Sequence, residues 1–115
     1  MVITQGDVVW TDFGHPRGSE PAKIRPGIVF QANWLLATQI NTVLVVPLTS
    51  NTAQEAFPGN VLIPQEVSGL DKDSVALVAQ AGPVSREYVE PHPMGHLPAY
   101  LLTKIGAGVR LVTGI

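Results

Sequence analysis

Two polar side chains that adjoin apolar, strand-like segments define the chemistry open to this chain. Arg25 stands just before the apolar segment at residues 27–30, and Thr49 directly follows the apolar segment at residues 42–48. A guanidinium and a hydroxyl on neighbouring strands supply the hydrogen-bond donors that a phosphate or a similar anion needs. The sequence therefore predicts an anion site at Arg25 and Thr49, with Ser50 as a further donor.

The composition limits the kinds of chemistry that this protein can perform. Its 115 residues are enough for one core, and we expect residues 1–115 to form a single domain. Seven Lys and Arg residues against nine Asp and Glu residues give a formal net charge of −2, which argues against an overall basic surface but allows a local basic patch. The absence of cysteine excludes thiol nucleophiles, disulfides and thiolate zinc sites.

The distribution of apolar residues indicates a soluble protein. The N-terminal residues carry no basic segment followed by an apolar core, so we expect no secretion signal. The longest apolar stretch, residues 97–115, is interrupted by Lys104 and Arg110 and is a poor membrane span. Because 45% of the residues are hydrophobic and only 14% are charged, part of the apolar surface is expected to form an oligomer interface. We predict a cytoplasmic homodimer with no membrane contact.

Ten prolines and eleven glycines divide the sequence into short segments, which is typical of a small β-domain. A long loop is predicted over residues 14–24, and a loop or short helical turn over residues 53–59. Strands are predicted over residues 7–13, 25–31, 42–48, 60–64 and 73–81, with Val84 and Ser85 continuing the last strand.

The strand at residues 42–48 is apolar on both faces, so we expect it to lie in the centre of the sheet and to be fully covered. Pro47 cannot donate a hydrogen bond to a neighbouring strand. We therefore predict a bulge or a strand end at Pro47, with Thr49 and Ser50 turned out of the sheet.

A helix is predicted at the C-terminal end of the chain, with Pro98 at its first position. Apolar residues recur at helical spacing, namely Leu97, Leu101, Ile105, Val109 and Val112. Gly106 and Gly108 each weaken a helix by about 1 kcal/mol relative to alanine, so packing must hold it. These elements together predict a mainly β protein, with a small, strongly bent sheet or barrel and a C-terminal α-helix.

Five motifs follow one another along the chain, in the order Gly6-Asp7-Val8-Val9-Trp10, Gly18-Ser19-Glu20, Arg25-Pro26, Val46-Pro47-Leu48-Thr49-Ser50 and Asp73-Ser74-Val75-Ala76-Leu77 with Gln80. By these motifs the chain resembles the MazF/PemK family of toxin endoribonucleases over nearly its whole length. The resemblance implies a small SH3-like barrel of the CcdB/Kid/MazF type with a C-terminal α-helix, and a homodimer.

By this resemblance, the activity is metal-independent cleavage of single-stranded RNA at a short sequence, with no cofactor. The 2′-hydroxyl attacks the adjacent phosphorus and leaves a 2′,3′-cyclic phosphate and a 5′-hydroxyl. The resemblance also implies an antitoxin as partner, and we expect its tail to be disordered and acidic and to cover the Arg25–Thr49 groove.

The family's catalytic arginine falls on Arg25 and its catalytic hydroxyl on Thr49, while the loop glutamate is Glu20. A planar guanidinium matches two non-bridging phosphate oxygens, so charge stabilisation is the role expected of Arg25. Glu20 either accepts the proton of the 2′-hydroxyl, or binds loop N–H groups or reads a base edge. The structural alternative is that Arg25 pairs with Asp7 or Glu20 and that Thr49 merely ends a strand. Ile24 departs from family members that have histidine there.

Further residues are candidates for RNA contact because of their charge, polarity or aromatic faces. We predict a basic rim formed by Arg17, Lys23, Arg25 and Lys72. Gly18 and Ser19 lie in the same predicted loop as Arg17 and Lys23. Gln80 either reads a base or, as the favoured alternative, satisfies a buried carbonyl. Trp10 and Phe13 are possible stacking platforms, although Trp10 is expected to lie in the core.

The three histidines, His15, His92 and His96, lie in segments rich in Pro and Gly, and we assign none of them a role in acid–base catalysis. No two of them have metal-ligand spacing on one helix face, so no metal site is predicted.

Two other classes of function compete with the nuclease. One is a non-catalytic toxin like the gyrase poison CcdB, whose terminal Trp-Gly-Ile differs from Thr113-Gly114-Ile115 here. The other is a barrel used only for binding, which does not account for an arginine and a threonine in the family's positions.

Overall fold

A curled antiparallel sheet forms the frame of the protein in a computed structural model, which describes residues 3–14, 18 and 24–115. The described residues contain seven strands, in the order β4-β5-β3-β2-β1-β7, with β6 beside the first half of β3. The strands are β1 (Asp7–Asp12), β2 (Ile24–Val29), β3 (Thr42–Thr49), β4 (Val61–Ile63), β5 (Ser74–Ala76), β6 (Gly82–Ser85) and β7 (Gly95–His96). The predicted mainly β fold is confirmed.

Strand β3 lies at the centre of the sheet, as predicted. It pairs with β2 on one edge, and on the other edge with β6 along its first half and with β5 at Leu48 and Thr49. Val43, Val45 and Val46 are fully buried, because both faces of the strand are covered there. The expectation of full coverage is wrong for Leu44, which is 36% exposed.

The hydrogen-bonded ladder between β2 and β3 stops at the pair Gly27–Pro47. Phe30 N–H donates to the Leu44 carbonyl at 2.9 Å, and in an antiparallel ladder the hydrogen-bonded pairs recur at every second residue. The pair after Phe30–Leu44 is therefore Ile28–Val46, and the pair after that would need an N–H at residue 26. Residue 26 is proline, which has no N–H. The two strands therefore separate beyond Gly27 and Pro47.

Pro47 itself does not end β3, and this part of the prediction was wrong. Its backbone faces the junction between β6 and β5, where its carbonyl accepts the N–H of Leu77 at 2.9 Å. The strand continues to Thr49, which pairs with Val75, while Ser50 lies beyond the strand end. A proline is tolerated there because the neighbouring strand changes at that point.

The long strand predicted over residues 73–81 is instead three elements. The short strand β5 ends at Ala76, a 3-10 turn spans Val78–Gln80, and β6 follows as a separate strand. Strands β5 and β6 pair with different halves of β3, so the chain must turn between them. Local alternation of apolar residues cannot reveal such a change of partner.

Short helical elements connect the strands. A 3-10 turn at Thr52–Ala56 confirms the predicted helical turn after β3. The single-turn helices α1 (Asn33–Leu36) and α2 (Gln65–Ser68) were not predicted.

The predicted C-terminal helix is confirmed as α3 (Ala99–Thr113), which starts directly after Pro98. Leu101 and Ile105 are buried in the larger core cluster together with Leu97 before the helix, whereas Val112 is 40% exposed. A second core cluster on the other face of the sheet contains Val9, Val29, Leu36, Val43, Val45 and Val89. No helix within the described ranges is both long and apolar enough to span a membrane.

Gly108 is a point of close approach between the backbone of α3 and that of Gly59. A Cβ atom there would clash with the backbone carbonyl of Gly59, whereas a Cβ on Gly106 would meet open space. The two helix glycines therefore differ: one permits backbone contact, and the other only lowers the helix propensity.

We predict opposite effects for the same substitution at these two glycines. Gly108→Ala should lower the free energy of unfolding by about 1–3 kcal/mol, because the backbone of Gly59 must move. Gly106→Ala, the matched control, should raise it by up to about 1 kcal/mol through helix propensity. Urea denaturation of both variants at equal protein concentration measures the two values, and equal shifts would contradict the proposed contact.

Candidate active site

Arg25 and Thr49 line one cavity of about 540 Å³ at the place where β2 and β3 separate. If the register of the two strands is extended past Gly27–Pro47, these two residues stand opposite each other on the same face. Both are half-buried, and they share the cavity with Gln54, Phe57, Pro58, Asn60, Leu77, Ala79 and Gln80. The predicted pairing of a guanidinium with a hydroxyl is therefore present as a juxtaposition in space.

The hydroxyl of Thr49 has a defined orientation. Its Oγ1 accepts the backbone N–H of Asn51 at 3.2 Å, which closes a short turn at the end of β3. Among the described residues, no acceptor is recorded for the hydroxyl proton. The group is therefore available to donate a hydrogen bond to an anion in the cavity.

The predicted alternative in which Arg25 pairs with Asp7 is wrong. Asp7 is buried, its Oδ1 lies 2.8 Å from Nδ1 of His96, and its Oδ2 accepts the N–H of Thr4 at 2.8 Å. Within residues 3–14, 18 and 24–115, that His96–Asp7 contact is the one approach within 4.0 Å between a basic and an acidic side chain. In this part of the chain, no carboxylate neutralises the guanidinium of Arg25.

The amide of Asn60 holds the wall of the cavity in place. Its Oδ1 accepts the N–H of Val78 at 3.1 Å, and its Nδ2 donates to the carbonyl of Gln54 at 2.9 Å. One side chain thus ties the turn that precedes Gln80 to the turn that follows Thr49. Sequence reasoning missed Asn60, because its partner in the turn lies 18 residues further along the chain.

Gln80 lies at the end of a 3-10 turn rather than on a strand. It is exposed, and it lines both the Arg25–Thr49 cavity and an adjacent cavity of about 450 Å³ that includes Phe13 and Tyr88. No hydrogen bond from its side chain to another described residue is recorded. A role for Gln80 in reading a base stays a prediction, as does one for Phe13.

Arg25 also lines a second cavity, of about 430 Å³, which includes Trp10, Ser50 and Lys72. The expectation that Trp10 lies in the core is wrong, because 43% of the residue is exposed. Val8 fills the core on the same face of β1, while Trp10 stands two residues closer to the open end of the sheet. Ser50 lines this second cavity and not that of Thr49, so the two hydroxyls lie on different sides of Arg25.

Several predicted residues lie outside the described part of the chain, namely Arg17, Ser19, Glu20, Lys23 and His15. Gly18 is described and exposed, with a φ of 58° that favours glycine. His92 is exposed, and His96 lies beside Asp7, at the opposite end of β1 from Arg25. Across residues 3–14, 18 and 24–115, no three His, Asp or Glu residues are grouped as a metal site would need.

A sequence model of the PemK-like, MazF-like toxins of type II toxin–antitoxin systems matches residues 4–113. The endoribonuclease MazF2 of Mycobacterium bovis is 38% identical over 112 residues, which are 97% of this chain and 97% of that relative. The chain therefore belongs to this family of toxins, as its motifs predicted.

Solved structures agree with the fold. The crystal structure of MazF from Deinococcus radiodurans superimposes with a TM-score of 0.80 at 21% identity, over 100% of this chain and 99% of that one. An endoribonuclease from a mycobacterial species, solved with its cognate antitoxin, superimposes with a TM-score of 0.77 at 16% identity, over 99% and 97% of the two chains. The predicted SH3-like barrel with a C-terminal helix is confirmed.

We predict that Asn60 is required for the stability of the cavity wall. Asn60→Ala should lower the free energy of unfolding by about 1–3 kcal/mol, because the N–H of Val78 loses its acceptor. Gln54→Ala is the matched control, since Gln54 contributes only its backbone carbonyl to this contact and should change stability by less than about 0.5 kcal/mol. Thermal unfolding followed by circular dichroism measures both, and a neutral Asn60→Ala would contradict the assignment.

Proposed function

We propose that this toxin cleaves single-stranded RNA at the cavity that Arg25 and Thr49 share. The protein is an endoribonuclease toxin, as are relatives that match it over nearly its whole length. The observation that carries the site assignment is the placement of the two side chains in one cavity, with no described carboxylate paired to the guanidinium. An arginine with no carboxylate partner among residues 3–14, 18 and 24–115, in a groove open to solvent, is suited to a phosphate.

The proposed reaction is an internal transesterification. The 2′-oxygen of one nucleotide attacks the adjacent phosphorus, the bond from phosphorus to the 5′-oxygen breaks, and one proton passes from the 2′-hydroxyl to the leaving oxygen overall. The products are a 2′,3′-cyclic phosphate and a 5′-hydroxyl. Negative charge accumulates on the non-bridging oxygens, and the planar fork of Arg25 can donate to two of them at once.

Thr49 has the supporting role in this scheme. Its hydroxyl donates to the same phosphate while its oxygen is held by the N–H of Asn51. Because Arg25 supplies the positive charge that a metal ion would otherwise supply, we propose that the reaction needs no metal and no cofactor.

The rest of the machinery is proposed from the loop that joins β1 to β2. Glu20 would accept the proton of the 2′-hydroxyl, which requires it to lie near Arg25. The remaining proposed RNA contacts of this loop are Arg17, Gly18, Ser19 and Lys23. Ser50 and Gln80 would contact the nucleotides on either side of the scissile phosphate.

A partner antitoxin is proposed because a structure of the same fold was solved with its cognate antitoxin. An acidic, disordered tail would bind the guanidinium of Arg25 and exclude RNA from the groove. We further propose a homodimer in the cytoplasm. Exposed apolar side chains, such as Trp34 and Leu111, support a subunit interface, and the RNA substrate supports the location.

Arg25→Ala should slow RNA cleavage by about two decades or more, because the transition-state charge loses its bidentate donor. Arg25→Lys should recover only part of this loss, since an ammonium cannot donate in the same fork geometry. Cleavage of a long single-stranded transcript in EDTA, with analysis of the fragment ends, measures both variants.

Arg110→Ala is the matched control for charge, because Arg110 is exposed on α3 and lines neither cavity of Arg25. It should leave the rate unchanged. Full activity of Arg25→Ala would remove the site assignment. If the unaltered protein cuts no RNA while growth inhibition survives Arg25→Ala, the chain is a gyrase poison or a binding barrel instead.

Thr49→Ala should reduce the cleavage rate by about one decade, which is the usual value of one hydrogen bond to a charged group. Thr49→Ser keeps the hydroxyl and is expected to retain most of the activity. Single-turnover rates on the same transcript compare the two, and equal losses in both would show that the hydroxyl itself is not used.

A further inference from the structure

The second cavity beside Arg25 lies on the opposite face of the sheet from Thr49. In β1 and β2, Trp10 pairs with Pro26 and Thr11 pairs with Arg25, so Trp10 and Arg25 project to opposite faces. The cavity of Thr49 contains Arg25 but not Trp10, whereas the second cavity contains Trp10, Pro26 and Leu48. Arg25 lines both, because the sheet is open where β2 and β3 part. We call the second cavity the Trp10 cavity.

The two cavities differ in chemistry. The Thr49 cavity presents three amide side chains, those of Gln54, Asn60 and Gln80. The Trp10 cavity has a partly exposed indole among apolar side chains, and a charged edge formed by Asp71 and Lys72. An accessible indole beside a cation is the usual platform for a nucleic-acid base followed by a phosphate.

The edge of the Trp10 cavity is held by backbone packing. Gly69 lies so close to the Met94 carbonyl that a side chain there would clash, and its φ of 77° also requires glycine. The carboxylate of Asp73 accepts the N–H of Gln65 at 2.9 Å and closes the same segment from its other end. Lys72 therefore stands in a segment that is fixed at both ends.

We propose that the two nucleosides that flank the scissile phosphate bind in different cavities. One lies in the Thr49 cavity, and the other lies in the Trp10 cavity. Its base stacks on Trp10, and its outer phosphate lies near Lys72. The RNA strand then passes through the opening of the sheet with Arg25 at the phosphate between the two nucleosides. Stacking accepts any base, so this subsite contributes affinity, and the amides of Gln54 and Gln80 in the Thr49 cavity contribute base selection. This inference rests on the proposed function.

The chain has two tryptophans, which makes the subsite directly observable. The probe is an RNA oligonucleotide that spans one mapped cut site and carries a 2′-deoxy nucleotide there, so that it binds but cannot be cut. Trp34→Phe leaves Trp10 as the sole tryptophan, and Trp10→Phe leaves Trp34, which is 73% exposed on α1. We expect the oligonucleotide to quench tryptophan fluorescence in Trp34→Phe and not in Trp10→Phe.

Kinetics test the same subsite on the cleavable RNA. Trp10→Ala should raise KM by about five- to a hundredfold with little change in kcat, because a stacking interaction is lost. Trp10→Phe should retain most of the affinity and shows that the fold is intact.

Lys72→Ala should lower the salt dependence of log kcat/KM by about 0.7 per decade of salt, the value for one phosphate contact. Lys104→Ala is the control for Lys72, as an exposed lysine of α3.

The outcomes separate this inference from the proposed function. If Arg25→Ala cuts RNA normally, the active-site assignment fails, whatever Trp10 does. The subsite alone is refuted if Arg25 is required, Trp10→Ala binds and cuts as the unaltered protein does, and the oligonucleotide does not quench Trp10 in the Trp34→Phe variant. If Trp10→Ala cuts normally but escapes neutralisation by the antitoxin, the cavity holds an antitoxin side chain, and this also overturns the inference.

Discussion

A single missing hydrogen-bond donor ends the ladder between β2 and β3 at the proposed site. The nitrogen of Pro26 faces β3 at the position where the ladder would need its next N–H, and the ladder stops one pair earlier. With an N–H at residue 26, β2 and β3 could pair as far as Arg25 and Thr49 and close the groove between them. The proline leaves these two residues beyond the end of the ladder, on one cavity, where we propose that a phosphate binds.

The opening has two sides, and the proposed path of the substrate follows from this. Strand alternation sends Thr49 and Arg25 to one face and Trp10 to the other, while Arg25 borders cavities on both faces. A strand of RNA that lies across the opening meets amides on one side and an indole on the other. Affinity and sequence selection can therefore be supplied by different surfaces around one guanidinium.

The supporting contacts are made by the backbone as much as by side chains. Asn60 joins the turn after β3 to the turn before Gln80, and the neighbouring Gly59 packs its carbonyl against Gly108 of α3. The cavity wall is thus connected to the C-terminal helix through two adjacent residues. The helix itself lines neither cavity of Arg25.

The class of the fold, the central strand β3, the C-terminal helix and the family could all be predicted from the sequence, because these depend on local patterns of apolar residues, glycines and short motifs. Their positions beside apolar strands also predicted a site at Arg25 and Thr49, and the structure places both residues on one cavity. Three features became visible only in the folded chain: Trp10 is exposed, β5 and β6 are separate strands, and Asn60 holds the cavity wall. Each of these depends on which strand lies beside which, and partners distant in the chain leave no periodicity for local sequence patterns to reveal.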